Sequence, residues 1–225
     1  MLHRTRALLM RQRTMVGNAL RGHLAELGLV TAQGAKSLAD LLKHVFDGGR
    51  DDTVMPPLAR LALTPLIAQL KELGAQIKAT ETALRAWHRT NAASQRLETI
   101  PGVGLITATA IAATVTDPSH FKSGRQFAAW LGLVPRQNSS GGKERLGAIS
   151  KRGDRYLRTL WVVGATSVMR YARGKNAAGA QWINALLARR PARLVSVALA
   201  NKTARIIWAV LTRNGVYRIP ANAAA

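Results

Sequence analysis

Seven positions between residues 66 and 87 constrain this chain more than any other feature. Leu66, Leu70, Leu73, Ile77, Thr80, Leu84 and Trp87 alternate spacings of four and three. A spacing that averages 3.5 holds one stripe on one face of an α-helix, and an apolar stripe of that length has to be covered by another helix. Two partners satisfy it: the helix predicted over residues 4–27, folded back as an antiparallel hairpin, or a second copy of the chain. Thr80 is the weak point of the seam.

Composition sets the rest of the frame. The chain has 225 residues, 48% of them hydrophobic, enough for a packed core in one domain plus an extension or in two small domains. Thirty-three Lys and Arg face eleven Asp and Glu, a formal charge of +22. Such an excess repels itself unless a polyanion is nearby, so nucleic acid is the first partner to consider and an anionic membrane the second. No apolar run approaches the roughly 20 residues that span a bilayer. The basic helix at the start lacks the aromatic-anchored apolar face of a membrane-surface helix, so no membrane partner is expected. Met1-Leu2-His3-Arg4-Thr5-Arg6 is basic, but Arg11 and Arg13 break the apolar residues that follow, which is no signal peptide. The absence of Cys excludes disulfides and thiolate metal sites.

Along the chain the pattern is helical. In the predicted 4–27 helix Leu9, Val16, Leu20, Leu24 and Leu27 share a face, and Gly28 is the stop signal. Arg4, Arg6, Arg11, Arg13 and Arg21 lie mostly elsewhere, on a solvated face or one turned to nucleic acid. A short helix follows over Ser37–Phe46, then a loop, Asp47–Asp52. Pro65 is expected to kink the next helix or to begin a new one behind Thr64. Thr99-Ile100-Pro101-Gly102-Val103-Gly104 ends the heptad region. Two readings stand for it: a tight turn between packed helices, or a helix-hairpin-helix element whose glycines let backbone N–H groups approach a phosphate. Small residues from Leu105 to Val115 suit close helix packing, and Ser123 caps a helix that Gly132 ends. Three more helices are predicted. Over 154–173 Tyr156, Leu160, Val163, Ser167 and Tyr171 are expected to face the core. Over 177–190 the core residues are Trp182, Leu186 and Leu187; over 193–213 they are Leu194, Val197, Ala204, Trp208 and Leu211. Ala221–Ala225 is a tail.

Between Arg136 and Arg158 the chemistry concentrates. Arg136, Lys143, Arg145, Lys151, Arg152, Arg155 and Arg158 face only Glu144 and Asp154, a local balance of +5. Taken alone, Asn138-Ser139-Ser140-Gly141-Gly142 reads as a flexible linker. Set in this cluster, it has what attack on a phosphodiester requires: an accessible hydroxyl, and cations that hold the phosphate and offset transition-state charge. No His is close in sequence, His120 being the nearest. Asp154 and Glu144 are more simply partners of adjacent arginines than bases.

Four motifs stand in one order over residues 98–158: Thr99–Gly104, Phe127-Ala128-Ala129-Trp130-Leu131-Gly132-Leu133-Val134-Pro135, Ser139–Lys143, and Lys151-Arg152-Gly153-Asp154-Arg155-Tyr156-Leu157-Arg158. Together they resemble the C-terminal domain of the transposases of insertion sequences 110, 116 and 902. The arm, with Arg11-Gln12-Arg13-Thr14 and Leu20-Arg21-Gly22-His23-Leu24, resembles that family's middle region.

The resemblance implies a mainly α fold: a helical arm over 1–95 with a coiled-coil segment at 66–87, a compact C-terminal transposase domain over 96–185 with a helix-hairpin-helix-like opening, and a C-terminal helix and tail over 186–225. It implies DNA recombination, with Ser140 as nucleophile and Ser139 as runner-up. The expected nucleic-acid-binding residues are Gly102, Gly104, Arg136, Lys143, Arg145, Lys151, Arg152, Arg155 and Arg158. No metal site is expected in this chain. The family's Mg²⁺ is held by carboxylates of an N-terminal RuvC-like domain, and the sequence is expected to begin just after the last of them, as a truncated form inactive alone. DNA, an element-encoded guide RNA and further copies joined through the arm are the expected partners, in the bacterial cytoplasm at the nucleoid. The competing reading is a non-catalytic, basic helical nucleic-acid-binding remnant.

Overall fold

The computed structural model describes residues 1–47, 55–143, 145–175 and 179–218. Of the loop predicted over Asp47–Asp52 all but Asp47, which is helical, lies outside them, as do Glu144 and the Ala221–Ala225 tail. The fold is mainly α, with nine helices and one two-stranded sheet among the described residues. The chain divides into two compact units, Met1–Ala83 and Leu84–Ala225, where the sequence reading puts the boundary at residue 95.

The first unit holds α1 (Leu2–Glu26), α2 (Ala35–Asp47) and most of α3 (Pro57–Thr90). Gly28 ends α1 with φ +78. Its N–H donates to the Ala25 carbonyl at 3.0 Å and that of Leu29 to Leu24 at 2.9 Å, so the carbonyls freed by the helix end are used again. The start of the heptad seam packs against α1 and α2 of the same chain. Leu20 and Leu24 of α1, Leu38 and Leu42 of α2, and Leu63 of α3 form one buried cluster, with Leu66, Ile67 and Leu70 packed on it. At the far end of the pair Arg6 reaches Glu81 at 2.6 Å, which makes the two helices antiparallel. That half-exposed ion pair contributes about 1 kcal/mol or less. Leu73 and Ile77 are buried, and Thr80 is half-buried. α3 passes through Pro65 unbroken, with the Thr64 hydroxyl donating to the Arg60 carbonyl at 2.7 Å.

In the second unit the seam holds at Leu84 and then slips. Trp87 is 37% exposed and His88 is 8% exposed. A straight helix drifts against a 3.5 repeat, and here His88 is the inward residue. Its Nδ1 lies 2.8 Å from Ser94 Oγ, and its Nε2 lies 2.9 Å from the Glu98 carboxylate. These contacts fasten the last turn of α3 to α4 (Ala92–Glu98), which Asn91 caps through the Ser94 N–H at 2.8 Å.

Beyond α4 come α5 (Leu105–Thr114), a 3-10 turn (Pro118–His120), α6 (Gly124–Trp130), β1 (Pro135–Gln137), β2 (Leu146–Ile149), α7 (Arg155–Ala172), α8 (Ala180–Leu187) and α9 (Ala192–Arg213). The core joins Leu97, Ile111, Phe127, Leu131, Leu133, Leu157, Trp161, Val195 and Ile207. Phe127 is fully buried, with Phe121 edge-on at 5.0 Å and Trp130 stacked at 5.7 Å. α9 is long and apolar enough to cross a membrane by length and composition, with mean hydropathy 1.4, which corrects the expectation that no apolar run comes near that length. Half of that stretch is buried within the unit, as in a core helix.

α7 turns differently from the prediction at Val163 and Tyr171, and α9 departs from it at Leu194. α7 buries Leu157, Trp161, Ala165, Met169 and Ala172, while Val163 is 61% and Tyr171 73% exposed. Along α9 Ala204 and Leu211 are buried and Trp208 packs on the core as predicted, with Val195 and Leu199 buried beside them and Leu194 53% exposed. In α7 the inward stripe includes Ala165 and Ala172, where large side chains would hold the neighbouring helices apart. Trp182 is also at the surface, 36% exposed.

Candidate nucleic-acid interface

The segment that reads as a linker is a β-hairpin. β1 and β2 are antiparallel, with Pro135 opposite Ile149 and Gln137 opposite Leu146. The Asn138 N–H donates to the Arg145 carbonyl at 2.8 Å, and the Lys143 N–H to the Ser140 carbonyl at 3.1 Å. The two residues between, Gly141 and Gly142, have φ +57 and +77. Two consecutive positive φ values define the mirror-image turn that matches the twist of paired strands, and Gly-Gly is among the few pairs that adopt it without strain. The glycines therefore build a tight tip.

That tip separates the two serines. Ser139 Oγ accepts from the Arg145 N–H at 2.9 Å and from Gln137 Nε2 at 3.0 Å, so it is part of the hairpin's internal bonding. Ser140 is exposed at the first corner of the turn, and among the described residues its hydroxyl has no partner.

The hairpin's root is held in three places. Ser150 N–H donates to the Val134 carbonyl at 2.8 Å, Lys151 N–H to Gly132 at 3.1 Å, and Asn201 Nδ2 of α9 to Leu133 at 3.2 Å. Gly132 ends α6 with φ +73, and a Cβ on it would lie 2.1 Å from the Arg152 carbonyl oxygen. A Cβ on Gly153 would lie 2.0 Å from that of Trp130. The Lys151-Arg152-Gly153 loop and the end of α6 thus meet backbone to backbone. Lys151 sits at φ +55, a left-handed position that costs a non-glycine residue about 1 kcal/mol. Asp154 is the N-cap of α7, accepting from the Leu157 N–H at 2.9 Å, a helix cap where the sequence reading pairs it with adjacent arginines.

Of the expected nucleic-acid contacts, Arg136, Lys143 and Arg145 are exposed on the hairpin, and Lys151, Arg152 and Arg155 are exposed at its root. Arg158 is half-buried and donates to the Leu131 and Arg152 carbonyls at 3.2 and 3.0 Å, bracing the root. Gly102 and Gly104 lie on the turn between α4 and α5, which rests on α7 further along. A Cβ on Gly102 would lie 2.9 Å from the Gly164 carbonyl oxygen, and one on Gly164 2.0 Å from that of Gly102. Gly104 differs: it is extended, at φ −87, and a Cβ there would meet nothing within 4 Å. It precedes the first turn of α5, whose N–H groups have no partners within the helix.

His120 stands in the exposed 3-10 turn, 3.7 Å from Asp117. Asp117 titrates below the ordinary carboxylate range, because the Ser119 hydroxyl and N–H donate to it. Among the described residues no group of three or more His, Asp or Glu could hold a metal.

Residues 94–180 match the family described as Transposase IS116/IS110/IS902. This segment belongs to that transposase family. It runs from α4 to the start of α8 and holds the glycine turn and the whole β-hairpin. The likeness to individual proteins extends through the arm. The chain is 48% identical over 219 residues to a Pseudomonas aeruginosa protein named "Probable family 20 transposase", covering 96% of this chain and 64% of that protein. It is 41% identical over 217 residues to the transposase for insertion sequence element IS1111A of Coxiella burnetii, covering 96% and 59%. The transposase for insertion sequence element IS1328 of Yersinia enterocolitica is 38% identical over 216 residues, with 96% and 63% covered. The chain thus spans about three fifths of the length of these relatives.

Proposed function

We propose that this chain is the arm and C-terminal part of an insertion-sequence transposase, that it binds DNA, and that Ser140 is the nucleophile on a DNA phosphodiester. The observation that carries the reading is the hairpin: an exposed serine at the corner of a Gly-Gly turn, within a family-matched segment, with three exposed cations on the hairpin and three at its root. In the proposed step the Ser140 Oγ–P bond forms and one P–O ester bond to a deoxyribose oxygen breaks. The serine proton passes to a general base, and the deoxyribose oxygen leaves taking a proton from solvent. The cations hold the phosphate and offset charge on the pentacoordinate phosphorus. A guide RNA is a second polyanion that the same +22 surface would accept. Self-association would use the outward face of α3, where Leu58 and Leu61 are 80% and 71% exposed, since the start of the inner seam already packs against α1 and α2.

The test is a covalent adduct. The chain is mixed with the RuvC-like portion of a relative and labelled element-end DNA, then denatured. A protein–DNA species that survives denaturant with wild type and with Ser139→Ala, but is lost with Ser140→Ala, is expected. An adduct unchanged by Ser140→Ala would overturn the nucleophile assignment. Salt-sensitive binding with no adduct under any condition would favour the non-catalytic reading.

A further inference from the structure

Asp154 is the last acidic residue of the chain. From Arg155 to Ala225 there are twelve Lys and Arg and no Asp or Glu. No side-chain carboxylate of this stretch can offset that charge, so the surface built by α7, α8 and α9 is made for an anion.

Within it, two aromatic rings stand at the surface, each with an ammonium on one face. Tyr171 near the end of α7 is 73% exposed, and Lys175 Nζ lies 3.4 Å from its ring centroid. Arg170 and Arg173 flank it, both exposed. Trp182 on α8 is 36% exposed, and Lys202 Nζ of α9 lies 4.4 Å from its centroid. Asn184 of α8 donates to the Ala172 and Lys175 carbonyls at 3.4 and 3.0 Å, which fastens α8 to the end of α7. The two rings therefore belong to elements bonded to each other. Neither faces the core, which α7 fills with Met169 and Ala172 and α8 with Ala180 and Ile183.

We propose that Tyr171 and Trp182 form a stacking platform for unpaired bases of single-stranded nucleic acid, with Arg170, Arg173, Lys175 and Lys202 meeting its phosphates. The ammonium on one side of each ring braces it by a cation–π contact and leaves the other side for a base. In a duplex the base faces are occupied by their neighbours, so exposed ring faces in a cationic field fit the single strand. The platform shares with the hairpin site only the class of partner and does not depend on Ser140.

The test is binding of the full chain to a labelled 12-nucleotide single strand, as DNA and as RNA, and to a duplex of the same sequence. Tyr171→Ala and Trp182→Ala are each expected to weaken single-strand binding by roughly five- to a hundred-fold. Duplex binding should stay within about two-fold, because no phosphate contact is lost, and the salt dependence should keep its slope. Tyr171→Phe, which keeps the ring, should bind as wild type, and circular dichroism melts monitor the fold of each variant. Stronger sensitivity of the DNA or of the RNA strand identifies which is the ligand. Equal losses on strand and duplex, or no loss on either, would overturn the platform while leaving the nucleic-acid reading intact. A wild-type chain that binds neither would sink both.

Discussion

Two glycine turns of the second unit look alike in sequence and are built for opposite reasons. In the α4–α5 turn, Gly102 is pressed against Gly164 of α7, with no room for a methyl group on either. At the hairpin tip, a Cβ added to Gly141 or Gly142 would meet nothing within 4 Å, and their positive φ values are the whole requirement. The first pair sets the distance between two elements of the core. The second shapes one loop and the serine beside it. Stability and activity should therefore respond separately to substitutions in the two turns.

The largest effect is expected at Gly164→Ala. Its Cβ would meet the Gly102 carbonyl at 2.0 Å, and backbone cannot rotate aside. The turn must lift from α7, at about 3 kcal/mol after the helix-propensity gain of alanine. A urea melt of the chain should show it. A midpoint equal to wild type would mean that the turn is not seated on α7.

Next is Asp154→Ala, which removes the cap of α7 at the hairpin's root and should cost about 1 kcal/mol. Asp154→Asn and Asp154→Ser keep an acceptor and should recover most of it. If Asp154 served as the base for Ser140, those replacements would restore stability but not the covalent adduct, so the two readouts divide the roles.

Much of this architecture is legible in the sequence. Gly28, Ser123 with Gly132, and Asn214 mark helix ends through the backbone chemistry their residue types favour, and of the seam from Leu66 to Leu84 the residues Leu73, Ile77 and Leu84 are buried and the other three half-buried. The hairpin is hidden because its strands are three and four residues long and mostly exposed, with no apolar alternation to see. Its one signal is the Gly-Gly pair, which flexible linkers share. α7 misleads for another reason. Val163 and Tyr171 are apolar enough to suggest a face, but the packed stripe is Leu157, Trp161, Ala165 and Met169, where an alanine that admits a close neighbour carries little hydrophobic signal. Residue type alone likewise assigns Tyr171 and Trp182 to the core, although both stand at the surface.

At the hairpin tip, Gly142→Ala should cost about 1 kcal/mol locally, since φ +77 strains an L residue whatever space surrounds it. The melt should barely move, whereas the Ser140 adduct should fall as the corner it stands on distorts. Gly142→Asn tolerates the left-handed conformation and should restore the adduct. A variant that unfolds the unit instead would make the tip as structural as the Gly102–Gly164 contact and erase the contrast.

The smallest effect on stability, and the sharpest division, lies within the α4–α5 turn itself. Gly104→Ala places a methyl in open space on an extended backbone that any residue adopts. As an N-cap, glycine exceeds alanine by most of the roughly 1 kcal/mol of a side-chain cap, but alanine at an unstrained position recovers about 0.4–1 kcal/mol by restricting the unfolded chain, so the melt should shift by a few tenths. If a phosphate approaches the free N–H groups of the first turn of α5, the same methyl stands in its path, and DNA affinity should fall several-fold with the fold untouched. If affinity is also unchanged, the turn is a spacer between packed helices and nothing more. Gly102 would then be explained wholly by α7, and the hairpin and its cations would be left as the nucleic-acid-facing part of this segment.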